Sequence, residues 1–269
     1  MGIIFPRGIH QEGNVDFFRQ LPRELRYMIY ERIFGGRTIH IMYYNVDDAN
    51  YMKRENHPRG RIPGFVHCVC RRPPDAEPHQ HREDDHKWCY ISANFLRTCK
   101  QAFEDGIRTL YGSNTFIFDD HFDFDRFITT AYRYRKVIRT MNIYGGTSIG
   151  LGCLTETFRN LVQFPYVGSR MNVRIHLNLS YVSKGQFKKT MLALIRDFEP
   201  YPTEGYMTHL SRLVNLTFLL PSSHTGLLQT SLRRAGYDHV AEQATKVIPF
   251  DRKIYGADSD DENFGYMLF

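Results

Sequence analysis

Long apolar runs are missing. Nothing in the 269 residues approaches the ~18 consecutive apolar residues that a membrane-spanning helix needs. The first residues, Met1-Gly2-Ile3-Ile4-Phe5-Pro6-Arg7, hold a short apolar run with no sustained hydrophobic region and no cleavage signal. Pro6 also stands where a myristoylation signal calls for Ser or Thr. Cysteine is scarce and odd in number, five in all, with no even framework of the kind that staples small secreted domains. Together these absences predict a reducing compartment, cytoplasm or nucleus, and no membrane partner. There is no Lys/Arg-rich tract either, although the formal net charge is +6. The cations come in small groups, Arg59/Arg61, Arg71/Arg72 and Arg133/Arg135/Lys136/Arg139, so nucleic acid is not the expected partner. Signatures of chemistry are missing too. No Gly-x-Ser-x-Gly elbow occurs. The stretch Gly145-Gly146-Thr147-Ser148-Ile149-Gly150-Leu151-Gly152 fits neither a dinucleotide fingerprint nor a P-loop. It reads as a connection between a strand and a helix, with an anion site as the alternative. No catalytic residue is identified, and an enzyme is not expected.

What is present is an ordinary balance for a globular protein, 42% hydrophobic and 24% charged, with an aromatic share of 14% carried by 20 Phe and 17 Tyr. Such a share favours a Phe/Tyr-rich core over an aromatic binding surface. The organising stretch runs from Phe17 to Phe34 and reads as one helix. Pro22 suits the first helical position, Glu24 complements the positive end of the helix dipole, and Gly35-Gly36 supply the stop. Leu25, Met28, Ile29 and Ile33 recur at helical spacing on one face. A second helix follows Ser92, with Leu96, Cys99, Phe103, Ile107 and Leu110 on one face and Gly112 at its close. The two apolar stripes predict that these helices pack together, with Cys99 as a small buried apolar residue.

The run Leu21-Pro22-x-Glu24-Leu25-x-x-x-Ile29 resembles the start of an F-box, the helical module that docks on the Skp adaptor of cullin ubiquitin ligases. The chain is more closely similar to a large filamentous-fungal F-box-like group. That group has a Leu-Pro-x-Glu-Leu-Arg-x-x-Ile-Tyr helix, then Leu-x-Thr-Cys-Arg-Gln and Leu-Tyr-x-x-Asn-Thr-Phe. Here the later parts read Leu96-Arg97-Thr98-Cys99-Lys100-Gln101 and Leu110-Tyr111-Gly112-Ser113-Asn114-Thr115-Phe116, with Lys100 in place of the usual Arg. The motifs cover less than half of the chain, and the resemblance brings no settled function for the group. What the F-box likeness implies is contact between an adaptor and Leu21, Pro22, Leu25, Ile29 and Ile33. The same residues equally suit a core.

Between the motifs, from Asn45 to about Lys87, five prolines (Pro58, Pro63, Pro73, Pro74, Pro78) and crowded charges predict a long irregular insertion. It carries His67, Cys68, Cys70, His79, His81 and His86, with Cys89 just beyond. Paired Cys and His ligands at short spacing are what a tetrahedral zinc site requires, and metal binding would order such a loop. The Cys68-x-Cys70 spacing is one residue shorter than the usual zinc pair. A disulfide from Cys68 or Cys70 to Cys89, or a plain polar loop, are the alternatives, and no cofactor is required by the sequence.

The rest alternates. Strands are predicted at Arg37–Tyr44, Thr115–Phe118, Val137–Tyr144, Asn172–Leu179 and Leu213–Leu220. Helices are predicted at Phe122–Tyr134, Leu154–Phe164, Phe187–Phe198 and Leu227–Ala235. Val137–Tyr144 and Leu213–Leu220 echo the Leu-x-x-Leu-x-Leu of leucine-rich repeats, without a regular period. The expected fold class is therefore α+β: an F-box-like helical unit (residues 1–118) with its insertion at about 45–87, packed on a small layer of alternating strands and helices (residues 119–269). That layer would be a degenerate repeat of parallel strands, ending in an acidic and apolar tail from Asp251 that either docks or frays. The expected function is a non-catalytic protein-interaction module, an F-box-type receptor docking a Skp adaptor. The alternative is a metal-stabilised or nucleic-acid-associated regulator that uses the insertion and the basic clusters.

Overall fold

The computed structural model describes residues 20–44, 64–71, 86–88, 91, 95–96, 98, 100–118, 120–145, 156–161, 171–177, 183–197, 214–220, 222–234, 238, 241 and 245–247. The lead-in before residue 20, Cys99, the glycine-rich stretch after Gly145 and the tail from Asp251 lie outside the described residues.

Among the described residues eight strands form one sheet: β1 (Thr38–Tyr44), β2 (Gly64–Cys70), β3 (His86–Trp88), β4 (Thr115–Phe118), β5 (Thr140–Gly145), β6 (Met171–Leu177), β7 (Val214–Leu220) and β8 (Thr245–Val247). Their order is β3-β2-β1-β4-β5-β6-β7-β8. From β1 through β4 to β8 every neighbouring pair is parallel, while β2 runs antiparallel to both β1 and β3. Helix α1 (Arg23–Phe34) precedes the sheet; parallel neighbours need crossovers, and the later helices provide them: α2 (Lys100–Gly112), α3 (His121–Thr130), α4 (residues 156–161), α5 (Lys184–Asp197) and α6 (Ser222–Arg234). The α+β class and the parallel strands joined through helices are as the sequence predicts. One sheet crosses residue 118 without a break.

Alternation sets the two faces. Ile39, Phe116, Met141, Val173 and Leu216 stand opposite one another across five strands, and Phe118, Ile143, Ile175 and Phe218 form the next row on that side. These rows share one core cluster with the buried sides of the helices: Phe34, Phe124, Ile128, Phe158, Phe187, Met191, Leu228 and Leu232. The helices therefore cover the same face of the sheet. Ring contacts knit this layer, with Phe127 close to Phe65, Phe116 and Phe118, and Phe158 edge-on to Phe218. Among the described residues most of the phenylalanines are buried. The opposite face carries Ile117, Tyr144 and Leu219, all buried, so the central strands are enclosed on both sides as parallel strands usually are.

Several sequence expectations need correction: the second helix begins at Lys100 rather than after Ser92, and a 3-10 helix over Tyr132–Val137 stands where the end of a helix and the start of a strand are expected. The first helix begins at Arg23, and Pro22 (φ −49, ψ 146) stands at its N-cap rather than inside it. The segment from Asn45 to Lys87 is not irregular throughout, because β2 and β3 lie in it and extend the sheet beyond β1. The prolines hid this: Pro63 and Pro73 flank β2 without interrupting Phe65–Cys70, whose alternate residues Val66, Cys68 and Cys70 are buried.

Candidate docking face of the first helix

The geometry of α1 is fixed at both ends by its neighbours. At its C-terminus the last carbonyls would be orphaned. The Arg37 guanidinium donates to the Arg32 and Ile33 oxygens at 3.2 and 3.1 Å. Asn114 Nδ2 donates to the Phe34 oxygen (2.6 Å) and to the Leu110 oxygen of α2 (2.7 Å), while its Oδ1 accepts from the Arg37 N–H (2.9 Å). One buried side chain thus caps both helices and ties them to the start of β1. Gly36 takes φ +66, the left-handed turn that glycine accommodates, and its N–H reaches the Ser113 oxygen.

Along its length α1 leans on α2, as expected, but through Arg26 and Tyr30 against Asp105 and Gly106 rather than through the two apolar stripes. Arg26 Nε lies 2.8 Å from Asp105 Oδ2, both side chains largely buried, and Gln101 donates to the same carboxylate oxygen at 2.9 Å. The Arg26 guanidinium also holds the Leu21 oxygen at 2.9 Å, which fixes the turn leading into the helix. The backbones come close at Gly106, where a Cβ would sit 3.2 Å from the Tyr30 ring and collide with Leu96.

These contacts decide which side of α1 is inside. Tyr30 and Phe34 are fully buried, Arg26 is half-buried, and Ile33 packs on the edge of the core. Helical spacing in the sequence predicts a different stripe, Leu25, Met28, Ile29 and Ile33. Leu25 and Met28 are instead 45% and 63% exposed, on the opposite side from Phe34. Ile29 and Leu21 are half-buried beside them and Pro22 is exposed. The helix is apolar on two sides, and only one of them serves the core. Of the five residues expected at an adaptor, Leu21, Pro22, Leu25 and Ile29 fall along the outer side. Ile33 is drawn toward the core. Met28, which is not among those five, is the most exposed apolar side chain of the group.

The His/Cys group is less gathered. Cys68 and Cys70 share one face of β2, and His67 lies on the other with Phe65 and Val69. By register His40 stands beside Cys68, and His86 beside Cys70. His79, His81 and Cys89 lie outside the described residues. Among the described residues no group of three or more His, Cys, Asp or Glu is arranged to hold a metal ion. No helix among them is long and apolar enough to cross a membrane.

Residues 10–144 match the model of a family described as a domain of unknown function (DUF7730), which spans α1, β1–β4, α2, α3 and most of β5. No curated protein and no solved structure matches the chain.

Proposed function

The chain belongs to the DUF7730 family, and on that premise we propose that it is a non-catalytic interaction protein whose first helix docks a Skp-type adaptor. One observation carries the reading: α1 has an apolar side, Leu25 and Met28, that its own fold leaves in solvent while Tyr30 and Phe34 fill the core. A helix that needs only one buried side gains nothing in stability from a second apolar one. A helix laid into a partner's groove does need it. The Leu-Pro-x-Glu-Leu likeness to an F-box supports a Skp-type adaptor as that partner. Arg26, through the Leu21 oxygen and Asp105, would hold that side in one orientation.

The test is co-purification of the full chain with a fungal Skp adaptor. Leu25→Glu with Met28→Glu replaces exposed side chains, so the melting temperature should stay within the range of ordinary surface changes. Co-elution of the native chain that is lost in this variant, with melting unchanged, supports docking. A folded native chain that does not co-elute, or a variant that co-elutes as well as the native chain, refutes it.

A further inference from the structure

The far end of the helical layer carries a second surface of different character. Helix α5 opens Ser183-Lys184-Gly185-Gln186-Phe187-Lys188-Lys189, and Ser183 Oγ accepts from the Gln186 N–H at its start. Three cations in the first two turns, with no acid in the first turn, oppose the helix dipole. Lys184 and Lys188 also stand four residues apart, a like-charge spacing that repels. All three lysines are exposed; Arg233 and Arg234, also exposed, stand at the opposite end of the neighbouring helix α6, nine and ten residues beyond the His224 that meets Phe187 near the start of α5. Phe187 and His224 join the two helices edge-to-face on their buried sides, so both outer sides look away from the sheet. Among the described residues none of the five cations takes part in an ion pair. Among the described residues from Met171 to Arg234 the one acid is Asp197, in the last turn of α5. Leu192 is 41% exposed among the lysines.

A sequence that places cations where the helix itself disfavours them carries a local cost, and such costs concentrate at functional surfaces. We propose that the outer side of α5 and α6 is a docking surface for an acidic polypeptide segment, with Leu192 as its apolar anchor. A polypeptide is favoured over nucleic acid because neither helix exposes an aromatic ring on which a base would stack, and Leu192 would have no role on a phosphate backbone. The surface adds a second contact to the interaction-module reading. Its test does not involve the adaptor, so either reading can fail while the other stands.

The probe is a fluorescent glutamate-rich peptide with a single central leucine, titrated with the full chain at low ionic strength, where such contacts are strongest. Lys184→Glu/Lys188→Glu/Lys189→Glu should weaken binding at least about tenfold. The same variant should melt at an equal or higher temperature, because acids then occupy the helix start. The control reverses three exposed cations elsewhere, Lys100, Arg108 and Lys136, and should bind nearly as the native chain does. The proposal is overturned if the peptide does not bind, if the control loses as much affinity as the α5 variant, or if duplex DNA displaces the peptide and binds more tightly through the same lysines.

Discussion

Asn114 is where the N-terminal half can be tested most sharply. Its side chain makes three hydrogen bonds at 2.6, 2.7 and 2.9 Å, to the ends of α1 and α2 and to the entry of β1. Asn114→Ala removes all three and leaves the Phe34 and Leu110 oxygens and the Arg37 N–H to find other partners. At roughly 1 kcal/mol for each bond, with a further penalty for any group left buried and unpaired, the expected loss is about 3–5 kcal/mol. That is a large share of the 5–15 kcal/mol typical of whole domains. Asn114→Asp separates the donor role from the acceptor role. A carboxylate still accepts from the Arg37 N–H, but it cannot donate, and it faces two carbonyl oxygens at close range. Its folded-state pKa would lie above the unfolded value, so its deficit should be smallest at acid pH and grow as pH rises through the carboxylate range. Urea unfolding of the three proteins, followed by far-UV circular dichroism at several pH values, gives both numbers. A loss below about 1 kcal/mol for Asn114→Ala would refute the claim that this residue clamps the two helices. A pH-independent difference between the Asp and Ala forms would refute the donor argument.

Two further predictions rest on titration. Burial, helped by the neighbouring Tyr134, pushes the Tyr111 phenol up from 10.0 to about 12. A folded value above the unfolded one means stability that is intact below pH 10 and lost as pH rises through the folded value. The loss should be on the order of 3 kcal/mol. Tyr111→Phe should therefore flatten the alkaline limb of a stability–pH curve between about pH 10 and 12, and an unchanged limb would show that another group causes it. Asp125 is pushed above its usual value by burial, a shift that the hydrogen bond from Asn160 at 2.8 Å opposes. Its contribution is thus greatest in acid and falls as pH rises through the carboxylate range. Asp125→Asn keeps an oxygen for Asn160, so the variant should gain on the native protein between about pH 3 and 6. A difference in melting temperature that does not change with pH would contradict this.

The strands most visible in the sequence were those with unbroken alternation. β1 and β4–β7 were legible because β-branched and aromatic residues recur at every second position between turn signals. β8 offers three residues, too few for any period to show. β2 has the alternation, but the prolines and histidines crowding its flanks mask it. The first helix shows a different limit. Leu25-Met28-Ile29 and Tyr30-Ile33-Phe34 both recur at helical spacing, and periodicity alone cannot say which stripe meets the sheet. That choice was made by groups far along the chain: Asp105 receiving Arg26, Gly106 making room for Tyr30, and Asn114 holding Phe34. The Asn in Leu110-Tyr111-x-x-Asn114 was visible as part of a motif. Its partners Phe34 and Arg37, some eighty positions earlier, were not.

The serial order of the parallel strands also bears on how fast the chain assembles. Each strand from β5 onward meets the one before it after a modest stretch, about 21 residues between β4 and β5, whereas about 70 separate β1 from β4. Loop closure costs roughly 0.6 kcal/mol for each doubling of length, so the longer gap adds about 1 kcal/mol to the first joint. The β1–β2–β3 antiparallel extension lies inside that gap and shortens the effective loop when it forms first. The penalty is small enough that assembly can begin at either end. The joint between β1 and β4 is the step most exposed to delay.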